Sequence, residues 1–350
     1  MAEETVTWVK NKISQPVNRI GWIDECRFLT LFLVIFYHTP PRMEIMTERA
    51  MWHILMATFF FVSGICFDGR RLEGISTFVC RRVRRLLLPY FTLSVSIYIL
   101  WLLGGRCWAG GADMSARWFA PLVELIEGRP SLVAAALWFI CALFLCQILF
   151  FMLCKIMGSK PMPLLFVSFF LFLVPVLGDW ECTRYWQLDY ALLFMPFYAV
   201  GTCGRTIWLS WMRQKNHFNL QWVISVLIAG CSFVWAAETD SIWIRTLASF
   251  GVIPFLLLTS DALFSLCKSR CVSRFVQFVN RYSVAVLAFQ SYVIAIVVKG
   301  VFFLSGREGA GDWSAKWLIA ALSMMATCVL IDILRRFFPW ILGERFARKT

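Results

Sequence analysis

Two polar residues, Arg27 and His38, lie eleven positions apart in the otherwise mostly apolar stretch RFLTLFLVIFYH. In an α-helix this spacing is a rotation of about 1100°, roughly 20° past three full turns, and a rise of about 16 Å. Both side chains are therefore predicted on one helix face. Histidine is the side chain best suited to exchange a proton near neutral pH, so His38 is a candidate general base or proton relay. A second interpretation stays open, in which both groups only reach the membrane interfaces.

Two further residues are assigned supporting roles. Asp24 lies one turn before Arg27, where it can cap the helix start and pair with the guanidinium. Ser63 precedes Gly64 in the apolar stretch TFFFVSGICF, and a pair of small residues in such a stretch indicates close packing between helices.

An arginine cluster occupies the stretch CRRVRRLLLPYF, residues 80–91. Arg82 and Arg85 are three positions apart and fall on one face of a helix. Because guanidinium groups bind phosphate through paired hydrogen bonds, this pair predicts a site for a phosphorylated cofactor. The alternative is a topology anchor that binds anionic membrane lipid.

The composition indicates that these residues belong to a membrane protein. The chain has 350 residues, of which 60% are hydrophobic and 17% aromatic, far from the balance of a soluble domain. Its net charge of +13 lies in short clusters between long apolar runs, which disfavours a nucleic-acid partner. An all-α fold with about ten transmembrane helices is predicted, near residues 25–40, 50–67, 86–103, 132–153, 162–178, 188–204, 218–237, 242–260, 282–304 and 315–334.

The basic residues also predict an orientation. Most of the 34 Lys and Arg residues fall on the segments that face the cytoplasm if both termini are inside. The whole chain, 1–350, is predicted to be one transmembrane domain, with a cytoplasmic segment at 1–21 and a basic cytoplasmic tail at 335–350. The polar first 20 residues lack the pattern of a cleaved signal peptide.

The cysteines do not predict a metal site. All 13 are scattered, mostly through apolar segments, with no CxxC pair and no Cys/His metal spacing. Only Cys107 and Cys182 fall on predicted outside loops, where a disulfide could persist.

Five ordered stretches resemble a known family. They are WIDECRFLTLFLVIFYH (22–38), FFFVSG (59–64), FVCRRVRRLLLPYF (78–91), LWFICALF (137–144) and YSVAVLAFQSYVI (282–294). Together they are similar to the integral-membrane acyltransferase family 3, bacterial enzymes that O-acylate cell-surface sugars. The resemblance is strongest over residues 19–91.

The resemblance implies a reaction and a role for each residue. An acyl-CoA donor, for which we expect acetyl-CoA, would approach from the cytoplasm of a bacterial cell, and a hydroxyl of a polysaccharide or lipid-linked sugar would be acylated in or across the plasma membrane. His38 would activate the hydroxyl, Arg27 would orient it or stabilise charge, and Arg82 and Arg85 would hold donor phosphates. Thioester attack by a hydroxyl needs a base and oxyanion stabilisation, and no metal.

The sequence departs from the family pattern at two places. Many relatives carry His-Met-Pro where this chain has Leu55-Met56-Ala57, and another His where it has Gln290. His53 lies two residues from the first place but on another helix face. A mechanism that needs a second histidine at either position is in doubt here.

Two other classes of function remain open. A transporter or flippase for a lipid-linked sugar or a small polar solute can also use an Arg and a His along one helix. A non-catalytic subunit of an envelope assembly complex would keep the fold without turnover.

Overall fold

A computed structural model describes residues 20–67, 74–105, 117–129, 135–178, 185–213, 220–266, 269–305 and 313–342. These residues form helices and contain no strand. The α-helices, in chain order, are α1 (Gly21–His38), α2 (Ile45–Ile65), α3 (Ile75–Arg82), α4 (Leu88–Leu100), α5 (Ala120–Glu127), α6 (Trp138–Met157), α7 (Pro161–Leu177), α8 (Leu188–Leu193), α9 (Met195–Cys203), α10 (Arg205–Arg213), α11 (Leu220–Ala237), α12 (Ile242–Leu266), α13 (Arg270–Arg281), α14 (Ser283–Ser305) and α15 (Trp313–Phe337).

The prediction of a helical membrane protein is confirmed. Every predicted span overlaps helical structure, and five helical segments in the described residues are long and apolar enough to cross a membrane. They are Ile75–Leu103, Trp138–Met157, Ile242–Leu266, Ser283–Leu304 and Trp313–Phe337. Two shorter apolar helices cover Pro161–Leu177 and Gln221–Ala237. The count of ten spans and the orientation of the termini stay predictions.

Helices α2 and α9 pack with their backbones almost in contact. A Cβ atom on Gly64 would overlap the carbonyl oxygen of Tyr198, and one on Gly201 would overlap that of Phe61. The Thr202 hydroxyl donates a hydrogen bond of 3.0 Å to the Gly64 carbonyl across the same interface. The close helix packing predicted from the Ser63-Gly64 pair is therefore confirmed.

Regular α-helical geometry is interrupted at two places in the described chain. A π-helical turn, Val83–Leu87, joins α3 to α4 within the arginine cluster. Helices α8 and α9 are separated at Phe194, because Pro196 lacks the N–H that would continue the hydrogen-bond ladder. Helix α1 ends at His38, immediately before the predicted stop at Pro40-Pro41.

Candidate active site

A cavity of about 780 Å³ opens at the end of the bundle where α1 begins and α15 ends. We call this end of the bundle the arginine end, and the cavity the arginine cavity. Its lining includes the six cations Arg27, Arg82, Arg85, Arg274, Arg281 and Arg335. Asp24 is the one acidic residue among the described lining residues. The local charge is therefore strongly positive, which suits an anionic ligand.

The arginine pair predicted from the sequence meets in this cavity. Arg82 lies at the last residue of α3 and Arg85 within the π-helical turn that follows, and both line the cavity. The Arg82 guanidinium carbon lies 4.9 Å from the centroid of the Phe78 ring. Its Nε is buried and has no hydrogen-bond partner among the described residues. A buried, unpaired guanidinium nitrogen beside a cavity is a donor that a bound anion can satisfy.

Arg27, Asp24 and Ser63 also line the cavity. Arg27 donates a hydrogen bond of 3.3 Å from Nη2 to the Cys66 sulfur. Asp24 lies in the first turn of α1 but is not its cap, because the N-cap residue is Ile20. Its negative charge in the first turn still interacts favourably with the positive end of the helix dipole.

Three cavity arginines were not predicted from the sequence. Arg274 and Arg281 lie on α13, whose apolar side is buried through Val276 and Val279. Arg335 lies near the end of α15, and its guanidinium carbon is 5.9 Å from the Phe278 ring centroid. Their positions at the ends of apolar segments predicted only a topology role for these cations. The seven-residue step from Arg274 to Arg281 on a strongly amphipathic helix was the signal that could have found two of them.

Asn280 fixes the amphipathic helix against α1. Its Nδ2 donates a hydrogen bond of 2.7 Å to the backbone carbonyl of Asp24. Arg335 donates a hydrogen bond of 2.8 Å to Asp332, three residues before it on α15. The Asn280 contact joins α13 to α1 beside the cavity, whereas the Arg335 contact lies within α15.

His38 does not line the cavity. Leu31 is the residue of α1 farthest along the helix that does so, and His38 lies seven positions beyond it. Seven residues are about two turns, so Leu31 and His38 share the helix face that also carries Arg27. His38 is partly buried, with its ring centroid 4.8 Å from that of Tyr37 in an edge-to-face contact. The structure thus brings the predicted donor-site residues together and leaves the predicted base about 10 Å farther along the same face.

His53 has structural partners of its own. It is fully buried, and its Nδ1 lies 3.0 Å from the Ser249 hydroxyl of α12. Because Ser249 donates its own proton to the Arg245 carbonyl, the His53 ring acts as the donor in this contact. Phe194 packs against the ring at a centroid distance of 5.0 Å. His53 does not line the cavity.

The two departures from the family pattern lie in the bundle core. Leu55 packs in the hydrophobic core, and Gln290 is fully buried with neither amide atom hydrogen-bonded among the described residues. No group of three or more metal-ligating side chains occurs in the part of the chain that the structure describes. Cys107, Cys182 and the third histidine, His217, lie outside the described residues.

Several helices long and apolar enough to cross a membrane, together with an arginine-lined cavity, define the class of this chain as a multi-pass membrane protein. Residues 20–334 match the family model of an acyltransferase domain. The chain therefore belongs to the integral-membrane acyltransferase family 3, and it is an acyltransferase. No curated protein and no solved structure shows significant similarity to it.

Proposed function

We propose that this protein transfers an acetyl group from acetyl-CoA to a hydroxyl of a cell-envelope or exopolysaccharide sugar. It would act in the plasma membrane of a bacterium, with ten spans and both termini in the cytoplasm. The donor enters from the cytoplasm at the arginine end.

One observation carries the donor assignment: among the described residues, six arginines and one acidic residue line the same cavity. Coenzyme A concentrates its negative charge in phosphates at one end and carries the acyl thioester at the other. The arginines supply charge and donors for the phosphates, and the unpaired Nε of Arg82 is a free donor of this kind. Acyl-CoA is therefore a ligand whose charge distribution matches the cavity.

The transfer requires a base and needs no covalent enzyme intermediate. The acceptor hydroxyl gives its proton to His38 as its oxygen attacks the thioester carbonyl. The carbon–sulfur bond then breaks, and the departing thiolate takes up the proton from His38. Arg27, on the same face of α1, stabilises negative charge along this path. Because His38 lies beyond the cavity, the acyl end must point along α1 toward it.

Donor binding tests the proposal without knowledge of the acceptor. Titration of the detergent-purified protein with acetyl-CoA should give saturable binding that is lost in Arg82→Ala/Arg85→Ala. The matched control is Arg81→Ala/Arg84→Ala, which removes two exposed arginines of the same segment that do not line the cavity. The control should bind acetyl-CoA like the wild type.

Other results would contradict the proposal. If the folded wild type binds neither acetyl-CoA nor longer acyl-CoA, the donor assignment fails. If anionic-lipid vesicles displace acetyl-CoA completely and bind with the same dependence on Arg82 and Arg85, the cavity is a lipid site. Movement of a solute without consumption of a thioester would point to a transporter.

Turnover then tests the base. With a competent acceptor preparation, His38→Ala should bind acetyl-CoA as tightly as the wild type and transfer no acyl group. His38→Ala with full turnover would remove His38 from the mechanism.

A further inference from the structure

We propose that Gln147 binds the pantetheine arm of the donor and so orients the acyl end toward the interior of the bundle. This inference rests on the proposed function and adds to it a binding residue that neither the sequence motifs nor the family match assigns. Gln147 lies in α6, lines the arginine cavity and is only 5% exposed.

The Gln147 side-chain amide has an unpaired acceptor among the described residues. Its Oε1 is buried and has no hydrogen bond to any described residue. The stretch WFICALFLCQILFFMLC around it, residues 138–154, has no other amide or charged side chain. An unpaired amide in such surroundings is destabilising, so a ligand group that completes its hydrogen bonds is the expected partner. An amide N–H or hydroxyl of a ligand would do so.

Ring contacts indicate that Gln147 lies deeper in the bundle than Arg82. The Phe151 ring, one turn beyond Gln147 on α6, stacks on the Phe78 ring at 4.1 Å between centroids. The Arg82 guanidinium lies over that same Phe78 ring. Arg82 is therefore at the level of Phe151, and Gln147 lies about one turn, or 6 Å, farther into the bundle.

The cavity becomes apolar beyond Gln147. Phe139, two turns or about 12 Å farther along α6, lines its inner part and packs against Phe59 at a centroid distance of 5.3 Å. Leu31 and Leu287 also belong to the lining. From the opening inward, the lining thus presents guanidinium groups, then an amide, then apolar side chains.

This order matches the chemical order of acyl-CoA. The phosphates come first, the amides of the pantetheine arm second, and the thioester with its acyl group last. The Oε1 of Gln147 accepts a hydrogen bond from an arm amide, and its NH₂ group can donate to an arm carbonyl. A donor held in this way directs its acyl end along the face of α1 that leads from Leu31 to His38.

Two ligands distinguish binding of the pantetheine arm from binding of the phosphates. Acetyl-CoA contains both, whereas adenosine 3′,5′-bisphosphate has phosphates and no arm. In Gln147→Met, which keeps the side-chain length, affinity for acetyl-CoA should fall on the order of fivefold. Affinity for adenosine 3′,5′-bisphosphate should be unchanged. Arg82→Ala/Arg85→Ala should lower the affinity for both ligands. The control Gln221→Leu, at an exposed position of α11, should change neither affinity.

Each contrary result has a distinct meaning. If Gln147→Met binds acetyl-CoA like the wild type, or loses both ligands equally, the role of Gln147 is overturned while the donor assignment stands. If the wild type binds no acetyl-CoA, the proposed function fails and this inference fails with it. Should Gln147→Met misfold, Gln147→Asn shortens the amide by one methylene group, and the same ratio of the two affinities decides.

Discussion

The Lys316 amino group donates a hydrogen bond of 2.7 Å to the carbonyl oxygen of Pro41. Lys316 lies in the first turn of α15 and is fully buried, with its Nζ 4.8 Å from the Phe36 ring centroid. Phe36 and Pro41 flank His38, the last residue of α1. One lysine of α15 therefore contacts the chain on both sides of the predicted base, at the Phe36 ring and at the Pro41 carbonyl.

Replacing this lysine should affect turnover more than donor binding. In Lys316→Met the Pro41 carbonyl loses its partner, and the end of α1 is free to shift. Misplacement of a catalytic group by about 1 Å can lower a rate on the order of 100-fold. We expect kcat to fall by roughly 10- to 100-fold. The Kd for acetyl-CoA should stay unchanged. Steady-state transfer assays together with equilibrium titration measure the two quantities.

The control for Lys316 is Lys299→Met, at an exposed position near the end of α14. It should leave kcat at the wild-type value. Lys316→Arg, which keeps a donor and a charge, should recover part of the activity. Equal losses of kcat and of donor affinity in Lys316→Met would indicate general unfolding and not a positioning role.

The α2–α9 interface predicts a steep response to one added methyl group. Gly64→Ala or Gly201→Ala places a Cβ against a backbone carbonyl of the facing helix, which cannot move aside as a side chain can. Overpacking of this kind typically lowers the free energy of unfolding by about 1–3 kcal/mol. Thermal unfolding in detergent should show a lower Tm for both variants.

Gly230→Ala is the matched control, because a Cβ at that position meets nothing within 4 Å. In the interior of α11 alanine is favoured over glycine by about 0.5–1 kcal/mol, so its Tm should be equal or higher. A Tm for Gly64→Ala as high as that of Gly230→Ala would contradict the tight packing.

His53 is predicted to support the fold and not the reaction. His53→Ala removes the hydrogen bond to Ser249 and opens a space beside Phe194. The loss of a buried hydrogen bond lowers stability by about 1–3 kcal/mol. The Tm should fall while the acetyl-CoA Kd stays unchanged, the reverse of the pattern expected for Arg82→Ala/Arg85→Ala. Retained stability combined with lost transfer would instead give His53 a place in the mechanism.

An ion pair between α2 and the loop before α12 predicts a pH dependence. Arg49 donates a hydrogen bond of 2.6 Å to Asp240, and this contact holds the pKa of the Asp240 carboxyl below its ordinary value of 3.8. A carboxyl with a lowered pKa in the folded state stabilises it above pH 3.8, and the contribution is lost as the pH falls through the lowered pKa.

Asp240→Asn should therefore have a slightly lower Tm than the wild type at pH 6, and the difference should shrink toward zero in acid. Because the pair is exposed, the effect is small and high salt should reduce it. A Tm difference that grows on acidification would contradict the sign of the pKa shift. Arg42→Gln, whose contact with Glu48 is a separate ion pair, tests whether the effect is specific.

Local patterns predicted the helices and half of the cationic site. Arg82 and Arg85 are only three residues apart, so their common location at the cavity could be predicted from local spacing. Arg274, Arg281 and Arg335 lie far from them in sequence, and only the packing of α13 and α15 brings them to the same cavity. A topology signal and a ligand-binding arginine look alike in a sequence, because both require only a cation at a helix end.

The sequence by itself determined that this is a helical membrane protein of the acyltransferase family 3, because hydrophobicity and short ordered motifs are properties of contiguous residues. It also determined that Arg27 and His38 share a helix face. The tertiary structure decided that Arg27 lines the cavity and His38 does not, that Gln147 faces the same cavity, and that Lys316 fixes the end of α1. These relations depend on contacts between helices distant in the chain, which helix periodicity does not encode.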